Sequence, residues 1–163
     1  MVESTPAARH AEMERVAAVL NTYLSRIGSE DWVVAVHHDP VEDPWAWYVR
    51  LVGDTRDYVA IWFRVRERTL AFESYLMPPP EENEEALYRF LLEVNRGIVG
   101  AKYGIGGTDE VGVFLDGHLR VDHVDEDALD AIVGLCWETI ERHFSTAMAI
   151  GYGSKFRSRR RWR

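Results

Sequence analysis

One cysteine, Cys136, stands in a chain of 163 residues. A lone thiol makes no internal disulfide, and cysteine-based metal frameworks need more than one. Long hydrophobic runs are also lacking. The longest, such as Tyr58–Phe63, fall far short of the roughly 20 apolar residues of a bilayer-spanning helix. No positively charged leader with an apolar core is visible, and Met1–Glu12 is polar and small, so a cytoplasmic protein is the expectation. Basic charge is scarce except at one end. Of 19 Lys and Arg residues, six lie in the last nine positions: Lys155, Arg157, Arg159, Arg160, Arg161 and Arg163. The remaining 13 face 27 acidic residues, so residues 1–154 carry −14 against −8 for the whole chain. A body that acidic repels nucleic acid whatever its tail does.

What is present is a globular composition, 47% hydrophobic and 28% charged, which excludes a mostly disordered protein. The length suits one domain, read as residues 1–151, with a separable basic tail over 152–163. Ser4-Thr5-Pro6 reads as a helix start, with Thr5 as cap. Met13, Val16, Leu20, Tyr23, Leu24 and Ile27 then keep helical spacing over Ala7–Ile27, and Gly28 is expected to end the run in the left-handed conformation. Trp32–His38 reads as a first strand.

Three more strands follow in Trp45–Met77. Trp47, Val49, Leu51, then Val59, Ile61, Phe63, Val65, then Leu70, Phe72, Leu76 recur at every second residue, which marks a buried sheet face. The turns Gly53–Asp57 and Arg66–Thr69 are too short for anything but antiparallel neighbours. Pro78-Pro79-Pro80 stops the last strand, and Asn83 or a nearby residue is expected to cap a second helix with Glu84 and Glu85 in its first turn. Its stripe is Leu87, Phe90, Leu91, Val94 and Ile98. Gly104, Gly106 and Gly107 then read as a loop. Glu110–Leu115 and Leu119–Val124 read as a hairpin across Asp116-Gly117. Asp125 caps the last helix, whose stripe runs through Leu129, Ile132, Val133, Cys136, Ile140, Phe144 and Met148 to Gly151. The expected fold is α+β, a mostly antiparallel sheet with three helices in the order helix, strands, helix, hairpin, helix.

With that pattern the chain resembles the YbjN family. The resembling residues are the meander Trp47–Met77, the Pro78-Pro79-Pro80 break, Leu91-Leu92-Glu93-Val94-Asn95 and Ala128-Leu129-Asp130-Ala131-Ile132, across Ala7 to Gly151. The resemblance implies a fold similar to type III secretion chaperones, usually dimeric, in a family labelled as bacterial sensory transduction regulators. It brings no catalytic residues, and the basic tail lies outside its pattern.

The positions between the buried strand residues are unusual: Tyr48, Arg50, Tyr58, Trp62, Arg64, Arg66, Glu73 and Tyr75. Aromatic rings interleaved with Arg compose a surface that something else covers, whether a helix, a second subunit or a partner. Tyr48, Arg50, Trp62, Arg64 and Tyr75 are the candidate protein-binding residues, since simple meander register puts them on one face. Coverage by a terminal helix of the same chain is the competing reading.

Other candidates weaken on inspection. Gly104-Ile105-Gly106-Gly107 follows a helix and has no Walker lysine, which argues against a phosphate loop. His37 and His38 are strand neighbours and point to opposite faces, as do His118 and His123, while His143 lies near the end of the last helix. No metal site and no cofactor are expected. Cys136 falls on an apolar stripe and reads as inert. Asn95, at the edge of such a stripe, suits fixing register or bonding a loop backbone. Glu81, Glu82, Glu84 and Glu85 read as a solvated helix start. A catalytic pocket would have to gather His37, Asp39 and Glu73, and their spacing gives no sign of it. The expectation is a non-catalytic protein-binding module acting as a homodimer in stress or signalling regulation. The alternative is an adaptor docking through Lys155–Arg163 on nucleic acid or anionic membrane.

Overall fold

The computed structural model describes residues 5–107 and 111–155. Helix α1 (Pro6–Ile27) leads into strands β1 (Val33–His37), β2 (Ala46–Val52), β3 (Tyr58–Val65) and β4 (Thr69–Met77). Helix α2 (Glu84–Asn95), strands β5 (Lys102–Gly106) and β6 (Gly112–Arg120), and helix α3 (Glu126–Tyr152) complete it. The six strands form one antiparallel sheet in the order β1-β2-β3-β4-β6-β5. All three helices pack on one side of it, with α3 against β3 and β4 and the other two beside it.

The period-two reading of β2–β4 holds residue by residue. Trp47, Val49, Leu51, Val59, Ile61, Phe63, Val65, Leu70, Phe72 and Leu76 are all buried and share a core with Leu20 and Leu24 of α1, Leu87 and Leu91 of α2, and Leu129, Cys136 and Ile140 of α3. Such a face must be covered, because exposed apolar area costs about 25 cal/mol per Å². The caps Thr5 and Asp125 also form as expected, accepting from Ala8 N and Ala128 N.

Four local expectations are corrected. Gly28 is helical, with φ −61°, and its N–H donates to Leu24 O. Glycine suits this position for space, since a Cβ would stand 3.0 Å from that carbonyl and 3.6 Å from Val36 Cγ2. Asn83 precedes α2 at φ +52° without a side-chain cap, because its Nδ2 donates instead to Ile150 O at the end of α3. Gly104 and Gly106 belong to strand β5 rather than a loop. The ladder to β6 is made by backbone groups and needs no side chain.

Asp116 and Gly117 lie in the middle of β6, which runs unbroken from Gly112 to Arg120, so the hairpin is β5–β6 and not the two halves of β6. Of the expected second arm Leu119–Val124, only Leu119 and Arg120 are strand, and Val121–His123 make a 3-10 turn. The glycine serves close approach. A Cβ at Gly117 would lie 2.4 Å from Gly100 O and 2.6 Å from Phe72 Cζ. Glycine inside a strand often marks such a contact.

Side chains then lock the elements together. Asn95, at the end of α2, accepts from Tyr103 N at 2.7 Å and donates to Tyr103 O at 3.1 Å, so an amide side chain pairs with β5 as a neighbouring strand would. Replacing Asn95 with Ala leaves both backbone groups without that partner. A loss of about 2 kcal/mol in stability is expected by urea unfolding, against near-neutral effects at exposed helix positions. The β2–β3 turn is fastened to α3 by Thr55 N donating to Glu141 Oε2 and by Trp137 Nε1 donating to Val52 O.

Candidate functional site

The helices cover one side of the sheet, and the other side is the candidate site. Register across the strands places His37, Tyr48, Trp62, Glu73, Asp116 and Lys102 in one transverse row, each opposite the next. A parallel row holds Ala46, Arg64, Ala71 and His118. No helix among the described residues lies over these rows: Trp62 is 38% exposed, and Arg64 and Glu73 are exposed. The competing reading, in which a terminal helix of the same chain covers the face, is not met among the described residues. The helices are used up on the apolar side, where burial is worth most.

Three of the five candidate residues cluster, and Arg64 and Tyr75 each take a different partner. Tyr48 and Trp62 are in ring contact at 5.1 Å with planes at 50°. Arg50 donates from Nε to the Tyr48 hydroxyl at 2.9 Å and lies 4.1 Å over the Tyr58 ring, a cation–π geometry. Arg64 is near Trp62 in β3 but pairs with Asp43 at 2.7 Å. Tyr75 stands apart, edge-on to Phe114 at 5.3 Å. Tyr48, Arg50, Tyr58 and Trp62 thus form a preorganised aromatic–Arg cluster, and Tyr75 a second one.

Beside Trp62 a shallow groove of about 830 Å³ opens between Arg64, Arg66 and Glu73 on one side and Lys102, Asp116 and His118 on the other. Asp116, Phe114 and His118 were missed as face residues because Asp116-Gly117 reads as a turn. The signal was present, since Val113, Leu115 and Leu119 keep the alternation running straight through the glycine.

Glu73 and Asp116 are direct cross-strand neighbours, an arrangement that like charges disfavour. Partial desolvation in the groove pushes the Glu73 carboxyl up from its ordinary value and the Asp116 charge adds to it, with Arg64 and Arg66 opposing. Burial also pushes Asp116 up, against His118. A carboxyl raised in the folded state binds its proton more tightly there than in the unfolded chain. Its favourable contribution is therefore present below the ordinary value near 4 and is lost as the pH rises through the raised one. Asp116→Asn is expected to raise the urea midpoint at neutral pH, and the gain should vanish as the pH falls toward 4.

The remaining candidates do not assemble into chemistry. His37 and Glu73 are three strands apart, about 14 Å at sheet spacing. Asp39 holds the amides of Val41 and Glu42, and these two bonds keep its carboxyl below the ordinary value. His143 lies 3.0 Å from the Tyr103 hydroxyl, and burial lowers its affinity for a proton. Burial pushes the Cys136 thiol up to about 12, which leaves it unreactive. No group of three His, Cys, Asp or Glu among the described residues is placed to hold a metal ion. No helix among them is long and apolar enough to cross a membrane. Of the basic tail, Lys155 is described and pairs with Glu81 at 2.7 Å, whereas Arg157, Arg159, Arg160, Arg161 and Arg163 lie outside the described residues.

Comparison with known proteins places these features in context. Residues 17–147 match the family model YbjN, described as "Putative bacterial sensory transduction regulator". An uncharacterized protein of Mycobacterium tuberculosis (strain ATCC 25618 / H37Rv) is 30% identical over 128 residues, 78% of this chain and 68% of its own. One of Mycobacterium leprae (strain TN) is 31% identical over 116 residues, 71% and 61% respectively. Among solved structures, the fold is similar to a chain of the ExsC–ExsE complex, with TM-score 0.56, 16% identity, and coverage of 80% of this chain and 92% of that one. It is also similar to a chain of the HopA1–SchA chaperone–effector complex, with TM-score 0.53, 12% identity, and coverage of 81% and 95%. The α+β architecture is thus shared with chains of these two complexes.

Proposed function

Since the chain belongs to the YbjN family, we propose that it is a non-catalytic protein-binding and regulatory module that works through the outer face of its sheet. The observation that carries this reading is the Tyr48–Arg50–Tyr58–Trp62 cluster, already ordered by its own contacts yet left uncovered by all three helices. Large rigid aromatics and Arg are the residue types that dominate protein–protein hot spots. Similarity to a chain from a chaperone–effector complex adds a fold suited to holding a protein segment.

The same face favours a homodimer as the working unit. Arg50 and Arg64 lie on the β2–β3 half with Arg66 just beyond it, and Glu73 and Asp116 lie on the β4–β6 half, with Lys102 of β5 beside Asp116 at the edge. A two-fold axis near Trp62 sets the basic half of one copy against the acidic half of the other, the self-complementarity that an isologous interface requires. A regulatory role in signalling rests on the family description alone.

Sedimentation velocity over a concentration series, with wild type beside Trp62→Ser, tests the reading. Reversible self-association that weakens in the variant supports the dimer. A monomer at all concentrations points to a different protein on this face. Capture from parent-cell lysate on both forms then decides: a protein retained by wild type and lost by Trp62→Ser supports the module, and equal recovery overturns it. The adaptor alternative predicts recovery that disappears at high salt and without residues 155–163.

A further inference from the structure

The C-terminal end of α3 is fastened to the segment before α2. Gly151 O accepts from Glu81 N at 3.0 Å and from Glu82 N at 3.1 Å, Ile150 O accepts from Asn83, and the Tyr152 hydroxyl donates to Pro79 O. This latch gathers negative charge at one point. A helix C-terminus carries partial negative charge and is stabilised by cations, yet the carboxylates of Glu81 and Glu82 lie beside this one. Glu82 lies directly against Gly153, where a Cβ would stand 2.0 Å from Oε1 and where φ is +43°. The first cation to arrive is Lys155, which takes Glu81.

Five arginines follow within the eight residues 156–163. We propose that this segment docks in cis along the outer side of α2, its arginines on Glu82, Glu84, Glu85 and Glu93 and its Trp162 against Tyr88 and Leu92. The surface fits that occupant. A groove of about 670 Å³ runs along Glu84, Glu85, Tyr88, Leu92 and Glu93, with Arg89 and Arg96 the two cations in its lining, and Leu92 is 68% exposed with no partner among the described residues that buries it. Arg89 reaches Glu85 only at 3.5 Å, both largely exposed, so that pair is readily exchanged.

Reach is sufficient. Eight extended residues span about 26 Å, while the 12 residues of α2 rise about 18 Å. Each exposed ion pair is weak alone, but a segment tethered at Lys155 meets α2 at an effective concentration on the order of millimolar. Docking would mask the tail from anionic surfaces until it is released. The inference is independent of the sheet-face reading.

The test uses isotope-labelled full-length protein. Amide spectra at low and high salt (about 0.05 M and about 0.5 M), and of Arg159→Ser/Arg160→Ser/Arg161→Ser, should show shift changes clustered from Glu81 to Glu93. Changes absent there, or gathered on Trp62 and Glu73, overturn the proposal. Labelled triple variant mixed with unlabelled wild type should keep its own spectrum, and wild-type α2 shifts in that mixture would place the tail on a second copy and overturn the cis assignment.

Unmasking is read on phosphatidylcholine–phosphatidylserine vesicles. Glu81→Gln/Glu82→Gln/Glu84→Gln/Glu85→Gln should bind about tenfold more tightly than wild type. Glu14→Gln/Glu30→Gln/Asp31→Asn/Glu42→Gln, which removes as much charge from exposed positions elsewhere, should not match it. An equal rise in both sets overturns the proposal.

Discussion

Trp62→Ser is expected to weaken association through the outer sheet face by roughly thirtyfold, about 2 kcal/mol, while the unfolding midpoint moves much less. The asymmetry follows from where the ring sits. Trp62 contributes to no buried core position, is 38% exposed, and is in ring contact with Tyr48. Removing a half-exposed side chain costs a fraction of what a core truncation costs, about 1 kcal/mol here. At the centre of a covered interface, the same ring would be fully desolvated. Urea unfolding beside sedimentation velocity separates the two. If folding falls by as much as association does, the face is an integral part of the folded core and the protein-binding reading fails.

The second large effect lies in the sheet itself. Gly117→Ala should destabilise the protein by about 3 kcal/mol, the range of strained overpacking. The added methyl meets a backbone oxygen, Gly100 O, at 2.4 Å and the Phe72 ring at 2.6 Å, and neither can withdraw without opening β4–β6. Gly134→Ala in α3 is the matched control. Nothing lies within 4 Å of its Cβ position, so the ordinary helix preference for alanine should leave stability unchanged or raise it by up to about 1 kcal/mol. Urea midpoints for the pair read the difference directly. Had Asp116-Gly117 been a turn, Gly117→Ala would also be mild.

Both predictions rest on elements that were unequally legible in the chain. Alternation in Trp47–Leu76 named the buried face of β2–β4 without error, because a period of two admits no other covered side. Thr5 and Asp125 were legible as caps because a side-chain oxygen three residues before an amide is a local contact. Asn95 was legible as a polar residue needing a backbone partner, although not which backbone. Asp116-Gly117 and the glycines of β5 misled for one reason. Glycine answers to a turn, to a positive φ and to a close neighbour alike, and only the neighbour distinguishes them.

The candidate site divides the same way. That Tyr48, Arg50, Trp62 and Arg64 share a face follows from strand parity and short turns. That the face is uncovered does not, since a chain with three amphipathic helices carries no local mark of which side of a sheet they pack on. The amino-acid sequence by itself determined the family, the α+β class, the apolar face of the meander and the acidic body with its basic end, because each is written in spacing or composition. The tertiary structure alone decided that all three helices gather on one side, that β6 runs through Gly117 to bring Asp116 opposite Glu73, and that the end of α3 delivers Lys155 to Glu81. Those are contacts between residues tens of positions apart, and they exist only once packing has chosen which surfaces meet.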